Sequence, residues 1–295
     1  MKITDIICGD KPSLSFEVFP PKSSTAFESV VAATARIAAL KPGYMSVTYG
    51  AGGTTDRYTA DISARIKEMG VTPLAHLSCI TATEKSIDSS LGELRSRGIE
   101  NILALRGDMP VGTGSAADGA LPELNNRPYR YASDLARRIC REGGFCIGGA
   151  CYPEGHPESP DGNTDIEMLK KKVESGVSFL TTQMFFDNSI IYNFMYRLLR
   201  SGVSVPVVPG IMPVTNAQQI KRIAAISGSA LPQRFLRLID RYGHDPESMK
   251  QAGIAYATSQ IVDLYANGFN AVHVYSMNKP EVAESIMANL SSIIG

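Results

Sequence analysis

LSFEVFPPKS, residues 14–23, reads as a β-strand that stops abruptly. Leu14, Phe16 and Val18 alternate as they would on a buried strand, and Pro20-Pro21 ends the run because proline has no N–H to give a ladder. The stretch decides between two α/β architectures. A doubly wound sheet usually follows its first strand with a glycine-rich phosphate loop. Here the strand runs into Pro-Pro-Lys, and neither GxGxxG nor GxxxxGKS/T occurs anywhere in the chain. The same stretch holds Glu17 among apolar neighbours, where a carboxylate is costly to bury unless it is paired, hydrogen-bonded or protonated. On this segment alone Glu17 is either a structural acid, ion-paired or turned to water on an edge strand, or a functional acid at a strand's C-terminal end.

Seven further strand-like runs follow: 44–49 (YMSVTY), 73–80 (PLAHLSCI), 101–106 (NILALR), 146–152 (CIGGACY), 179–186 (FLTTQMFF), 205–211 (VPVVPGI) and 271–277 (AVHVYSM). Several are apolar on both faces, as parallel strands covered on two sides should be. Between them the apolar period changes to that of a helix, with Ile62, Ile66 and Met69 in 57–69 and Ile166, Leu169, Val173 and Val177 in 164–177. Asn163-Thr164-Asp165 marks a helix start and Gly176 lies near its end. Eight βα units in 295 residues predict a single (β/α)8 barrel, a TIM barrel occupying 1–295 with no internal domain boundary. Two connections read as long, 107–130 after the fourth strand and 228–249 after the seventh helix. The first lies at the C-terminal face, where barrel enzymes carry their chemistry.

Lysine and arginine total 29, as do aspartate and glutamate, so the formal net charge is zero. That excludes nucleic acid or an anionic membrane as the main partner, since both reward a basic surface. Hydrophobic residues make up 44% of the chain without a run long enough to span a bilayer, and MKITDIICGDKPS lacks the apolar core of a secretory signal. The expected location is cytoplasmic. The five cysteines, 8, 79, 140, 146 and 151, form no CxxC, and Cys146, Cys151 and His156 match no metal-site spacing, so no metal is expected.

In a barrel, polar residues near strand ends converge on one mouth. Glu17, Thr48, His76, Arg106 with Asp108, Tyr152 and Gln183 come from six successive strands at that level. Each has an ordinary structural reading: a satisfied core histidine, an Arg106–Asp108 pair, a glutamine serving backbone groups. Their coincidence is harder to explain as packing, because lumen positions are usually branched and apolar. Gly50-Ala51-Gly52-Gly53-Thr54-Thr55 could bring backbone N–H groups close to a ligand or be a plain tight connection. Tyr129, Tyr131 and Tyr152 offer aromatic faces, and His156 with Lys171-Lys172 would suit a diphosphate, although a lysine pair on a helix is otherwise a solvated face.

These motifs together resemble the methylenetetrahydrofolate reductase family of the short bacterial type, from end to end of the chain. The resemblance rests on SFEVFPPK (15–22), VTYGAGGTTDR (47–57), HLSC (76–79), LRGD (105–108), YASDL (131–135), YPEGHPE (152–158), TTQMFFD (181–187) and PGIMPVTN (209–216). It implies a (β/α)8 flavoprotein that reduces 5,10-methylenetetrahydrofolate to 5-methyltetrahydrofolate with NADH or NADPH and bound FAD. It implies Glu17 as catalytic acid and Asp108 as the carboxylate beside the flavin's pyrimidine edge. Thr48, Tyr49, Ala51, His76, Arg106, Gly107, Asp108, Tyr131, Ala132, Tyr152, His156, Asp165, Lys171 and Lys172 match positions that hold FAD. Substrate contacts would come from Glu17, Thr48, Asp108, Gln183, Gln219 and Lys279.

The chain departs from the family at several of these positions. Lys171 and Lys279 stand where arginine is common, Met168 where some relatives have a polar contact, and Ile223 where one has an aromatic. A homo-oligomer is implied, and no S-adenosylmethionine-sensing regulatory domain is expected after the eighth helix. Rival readings are a proline dehydrogenase-like flavoprotein barrel, a folate-dependent methyltransferase barrel, and a non-catalytic barrel subunit of an electron-transfer assembly. An electron-donating partner protein is the alternative to a nicotinamide nucleotide as reductant.

Overall fold

The computed structural model describes residues 1–21, 24–49, 56–107 and 127–294. Its strands are β1 (Ser13–Val18), β2 (Tyr44–Val47), β3 (Thr72–Ser78), β4 (Asn101–Leu105), β5 (Cys146–Cys151), β6 (Phe179–Thr182), β7 (Val207–Val208), β8 (Gly210–Ile211) and β9 (Ala271–Val274). All pairings are parallel, in the order β7-β6-β5-β4-β3-β2-β1-β9-β8. β7 and β8 are two halves of one barrel stave, split at Pro209, which has no N–H for the ladder. The Pro209 carbonyl still accepts the His273 N–H at 2.8 Å, and the Gly210 N–H turns to Thr182 Oγ1 at 2.8 Å. The first half pairs with β6 and the second with β9, so eight staves form a nearly closed (β/α)8 barrel, as expected.

The helices are α1 (Ile3–Ile7), α2 (Phe27–Ala38), α3 (Asp56–Glu68), α4 (Glu84–Ser96), α5 (Ala132–Glu142), α6 (Gly162–Glu174), α7 (Asn188–Ser201), α8 (Ala217–Ser227), α9 (Gln233–Tyr242), α10 (Pro246–Ala266) and α11 (Pro280–Ile294). Thr83, Asp161, Asp187, Asn216 and Asp245 each accept a backbone N–H of the first turn that follows. Such caps contribute about 1 kcal/mol each. α6 therefore starts before Asn163, because Asp161 takes the N–H groups of Asn163 and Thr164.

The main core lies between sheet and helices, where Phe16, Val18, Met45 and Val47 meet Ile37, Ile62 and Ile66. Within the barrel, Tyr44, Leu74, Leu103, Cys146, Phe179, Val208 and Ala271 make an apolar floor with Ile3 and Ile7 of α1. The N-terminal stretch, unassigned in the sequence, thus plugs the barrel, and the Ile3 N–H is held by Asn101 Oδ1 at 2.9 Å.

The structure corrects two other expectations. Residues 228–249 are not an open connection. They contain α9, whose Phe235 and Ile239 are buried with Phe186, Met212 and Met249. The sixth strand ends at Thr182 rather than running to 186, because Phe185 and Phe186 leave the sheet for two separate apolar clusters. Among the described residues, no helix is long and apolar enough to cross a membrane.

Candidate active site

Above the apolar floor the lumen turns polar. His273 on β9 lies 2.8 Å through Nδ1 from Ser15 Oγ on β1, and 3.1 Å through Nε2 from Ser46 Oγ on β2. Ser15 gives its one proton to the Val272 carbonyl, so His273 Nδ1–H donates to Ser15 and Nε2 accepts from Ser46. The ring stacks on Tyr44 and meets the edge of Tyr275. Burial pulls His273 down to about 3, with His76 adding to the effect, so it is a neutral hub joining three strands. Nothing in the sequence singled it out, since AVHVYSM reads as one more apolar strand. Parity was the available signal: His273 and Tyr275 both sit at inward positions.

One level higher, Glu17 and His76 face each other. Glu17 pairs in register with Ser46, one residue before the end of β1, and is only 7% exposed; His76 is 6% exposed. Glu17 Oε2 and His76 Nε2 are 3.8 Å apart, within ion-pair range but too far for a hydrogen bond. Among the described residues, His76 Nε2 has no hydrogen-bond partner. Desolvation raises Glu17 to about 8 and lowers His76 to about 3. Distance alone would permit a salt bridge. The energetics favour a neutral pair, because burial penalises the charged form of both groups. At neutral pH Glu17 is a protonated acid beside a neutral imidazole. Tyr275, whose hydroxyl donates to the Thr182 carbonyl, is also raised well above its usual value, by burial and then by Glu17.

Thr48, Tyr152 and Gln183 continue the inward parity of β2, β5 and β6. The Thr48 N–H donates to the Val18 carbonyl at 3.0 Å, and the Gln183 N–H to the Cys151 carbonyl at 2.7 Å. Gln183 Oε1 accepts the Met184 N–H, so this side chain does serve the backbone. Tyr49 is half-buried against the main core. Arg106 does not share the inward parity of Leu103. It grips Glu158 through both guanidinium nitrogens, with Nη2 to Oε1 at 2.7 Å, which is a correction to its expected place among the lumen residues. Asp108, its expected partner, and Ala51 lie outside the described residues.

Arg106 belongs to a second cluster on the rim. His156 Nδ1 accepts the Glu158 N–H at 3.1 Å, and the His156 ring packs edge-on to Tyr152. Lys172 Nζ donates to the Ala150 carbonyl at 2.6 Å. Burial lowers both His156 and Lys172; Arg106 lowers both further, while Asp165 opposes the shift. Asp165 is itself raised by burial and held back by His156 and Lys172. Gly107 sits at φ 89°, a left-handed backbone that strains any other residue, and a Cβ there would come 1.9 Å from Ser78 Oγ and displace that hydroxyl. Tyr131 is exposed at the start of α5, its carbonyl over the buried Cys79, and Ala132 is the first residue of that helix. Lys171 is exposed on α6.

Gln219 and Lys279 meet at a separate cleft with Met212, Thr215, Ile223 and Met277. Lys279 Nζ donates to Thr215 Oγ1 at 2.6 Å. Gln219 is exposed in the first turn of α8, and its N–H is capped by Asn216 Oδ1.

A family model described as methylenetetrahydrofolate reductase matches residues 2–291. The chain belongs to that family. A 5,10-methylenetetrahydrofolate reductase of Pectobacterium carotovorum is 34% identical over 280 residues, covering 94% of this chain and 90% of that protein. The Arabidopsis thaliana methylenetetrahydrofolate reductase (NADH) 1 is 32% identical over 306 residues, covering 99% of this chain and 50% of that one. Among solved structures, a Clostridium thermocellum protein that binds two copies of 5-methyl-5,6,7,8-tetrahydrofolic acid superposes with a TM-score of 0.65. It covers 99% of both chains at 13% identity, a likeness of fold.

Proposed function

We propose that this reductase converts 5,10-methylenetetrahydrofolate to 5-methyltetrahydrofolate, drawing reducing equivalents from NADH or NADPH through bound FAD, as one catalytic barrel. The observation that carries the reading is Glu17: a buried acid held neutral at the C-terminal end of β1, facing the unpartnered Nε2 of His76. The folate's five-membered ring opens only when its N10 leaves with a proton. A general acid for that step should stay protonated near neutrality, and burial without a counter-charge supplies this directly. Glu17 gives the proton to N10 itself or through one water. Burial makes His76 too weak a base to take the proton from Glu17, so the acid keeps it for the folate.

The rim fits a dinucleotide's diphosphate. Arg106, His156 and Lys172 gather within one electrostatic neighbourhood and now direct their polar groups to Glu158 and backbone. An incoming anion could replace these partners with charge-assisted bonds. The orphaned Nε2 of His76 gives the lumen mouth a further polar atom for a bound ring. FAD would supply hydride transfer between the nicotinamide and the folate carbon. Thr48, Tyr49, Ala51, Gly107, Tyr131, Ala132, Asp165 and Lys171 complete the FAD-holding set by resemblance, and Asp108 is assigned the electrostatic support of the cationic folate.

Gln183, Gln219 and Lys279 are assigned to the substrate. Lysine at 279 offers a point charge to a folate carboxylate but not a bidentate fork. An anaerobic titration tests the whole reading. Bound flavin should bleach with NADH or NADPH and recover its oxidised spectrum on adding methylenetetrahydrofolate. Flavin that stays oxidised with both nucleotides would contradict it.

A further inference from the structure

The turn after β9 places two consecutive non-glycine residues in the left-handed region, Met277 at φ 56° and Asn278 at φ 55°. Methionine rarely adopts this backbone, and asparagine does so more readily. Such strain persists only where its surroundings hold it. Here the Asn278 amide holds it: Oδ1 accepts the Phe19 N–H at 2.7 Å, and Nδ2 donates to the Phe19 carbonyl at 2.9 Å. Nearby, Ser276 Oγ donates to the carbonyl of Glu17 at 3.0 Å. The regular pairing of β1 with β9 ends at Phe16 and Val274. Beyond it, side chains from the turn serve the backbone of β1 in place of a strand. An asparagine amide carries both the donor and the acceptor this requires, whereas aspartate lacks the donor.

The same turn has a second face. Met277 and Lys279 line the cleft with Gln219, and Lys279 is fastened to Thr215. One strained turn therefore touches both the cleft and the strand end that carries Glu17.

We propose that Asn278 is a positioning residue, which sets how deeply β1 presents the Glu17 carboxyl and so keeps it out of water. The role deepens the reading of Glu17 as the acid and rests on it. Among the described residues, the titratable groups facing Glu17 are His76 from β3, Tyr44 from β2 and Tyr275 just past β9, with His273 behind His76. All four are uncharged at neutral pH, the histidines because burial lowers them and the tyrosines by nature, so the protonation of Glu17 depends on burial, and its burial depends on where β1 ends.

Melting the holoenzyme tests this without any substrate. A carboxyl at about 8 in the fold against 4.5 unfolded holds its proton longer when folded, so its stabilising effect is complete below the lower value. That effect is lost as pH rises through this window, and Glu17→Gln abolishes the loss. The melting temperature of Glu17→Gln should therefore rise relative to wild type across the window. In an Asn278→Gly background, which keeps the left-handed backbone and removes both bonds, that pH-dependent difference should shrink to about half or less. Should the glycine variant not fold, Asn278→Asp, which retains the acceptor, is read in the same way. Stopped flow on Asn278→Gly should show folate-dependent flavin reoxidation slowed about 10–100-fold, with reduction by NADH or NADPH unchanged.

A pH-dependent difference of unchanged size overturns the proposal even if the variant melts lower at every pH, since a purely structural clamp would do that. Reoxidation at the wild-type rate overturns it equally. If wild type itself fails to reduce methylenetetrahydrofolate, the proposed function falls, and the melting experiment still decides the role of Asn278.

Discussion

Glu17 and His76 lie 3.8 Å apart in the lumen, largely buried, and both are neutral. On the rim, Arg106 and Glu158 are closer, partly exposed and fully charged, with each strengthening the ionisation of the other. Each pair sets a glutamate against a base, histidine in one and arginine in the other, and the two end in opposite states. The strength of the base and the access of water decide the difference, since a guanidinium stays protonated where an imidazole does not. At the rim, solvent meets much of the cost of two charges, and a bidentate guanidinium–carboxylate fit supplies the rest. Between Glu17 and His76 there is little solvent and no close hydrogen bond, and losing charge is cheaper than keeping it. The first arrangement suits holding an anion, the second storing a proton.

The largest effect should come from the lumen. Glu17→Gln keeps the shape of the side chain and its hydrogen-bonding capacity but cannot release a proton at neutral pH. Oxidation of the reduced enzyme by methylenetetrahydrofolate should fall about 10²–10⁴-fold, the usual contribution of a general acid. Flavin reduction by NADH or NADPH should stay near the wild-type rate. Stopped flow on the two half-reactions separately checks this. A folate step within a few-fold of wild type would return Glu17 to a structural role.

The next test breaks the rim. Replacing His156 and Lys172 together with alanine removes two donors from the proposed diphosphate site. At about 1.5–3 kcal/mol for each hydrogen bond to a charged group, FAD affinity should fall by two orders of magnitude or more. Gel filtration followed by a flavin spectrum, alongside a melting curve, reads the result. A cooperatively folding protein without flavin is expected, and full occupancy would move the diphosphate elsewhere. The smallest effect should follow Glu158→Gln. Loss of a partly exposed ion pair should cost at most about 1 kcal/mol in thermal stability. Arg106 would be freed, so FAD should bind slightly more tightly on titration of apoprotein. Weaker binding would show that Glu158 helps to hold the ligand.

The barrel was legible because its staves repeat one pattern, short apolar runs separated by helical periodicity. Each predicted strand has its counterpart, and Glu17 stands where Pro20-Pro21 placed it, just before the strand's end. α1 escaped notice because it is barely more than a turn, and its Ile3 and Ile7 matter only once the barrel exists to be plugged. α9 lay hidden in a stretch rich in charge, where only Phe235 and Ile239 marked the buried face.

In the site, parity succeeded for Glu17 and His76 and was overridden by proximity for Arg106. Counting from Leu103 and Leu105 turns Arg106 away from the lumen, and its partner Glu158 is a long-range contact that no local pattern records. His273 was invisible for the opposite reason: a neutral, hydrogen-bonded histidine inside an apolar strand carries no charge pattern, and Ser15 and Ser46 join it only in three dimensions. Asn278 needed backbone angles, which the sequence does not display.

The central claim is that Glu17 holds a proton at neutral pH, and an infrared difference spectrum between wild type and Glu17→Gln observes it directly. At pH 7 the account predicts a carbonyl stretch of a protonated carboxylic acid, present in wild type, absent in the variant, and disappearing as pH is raised through about 8. A carboxylate band at pH 7, with no protonated acid lost on substitution, would contradict it.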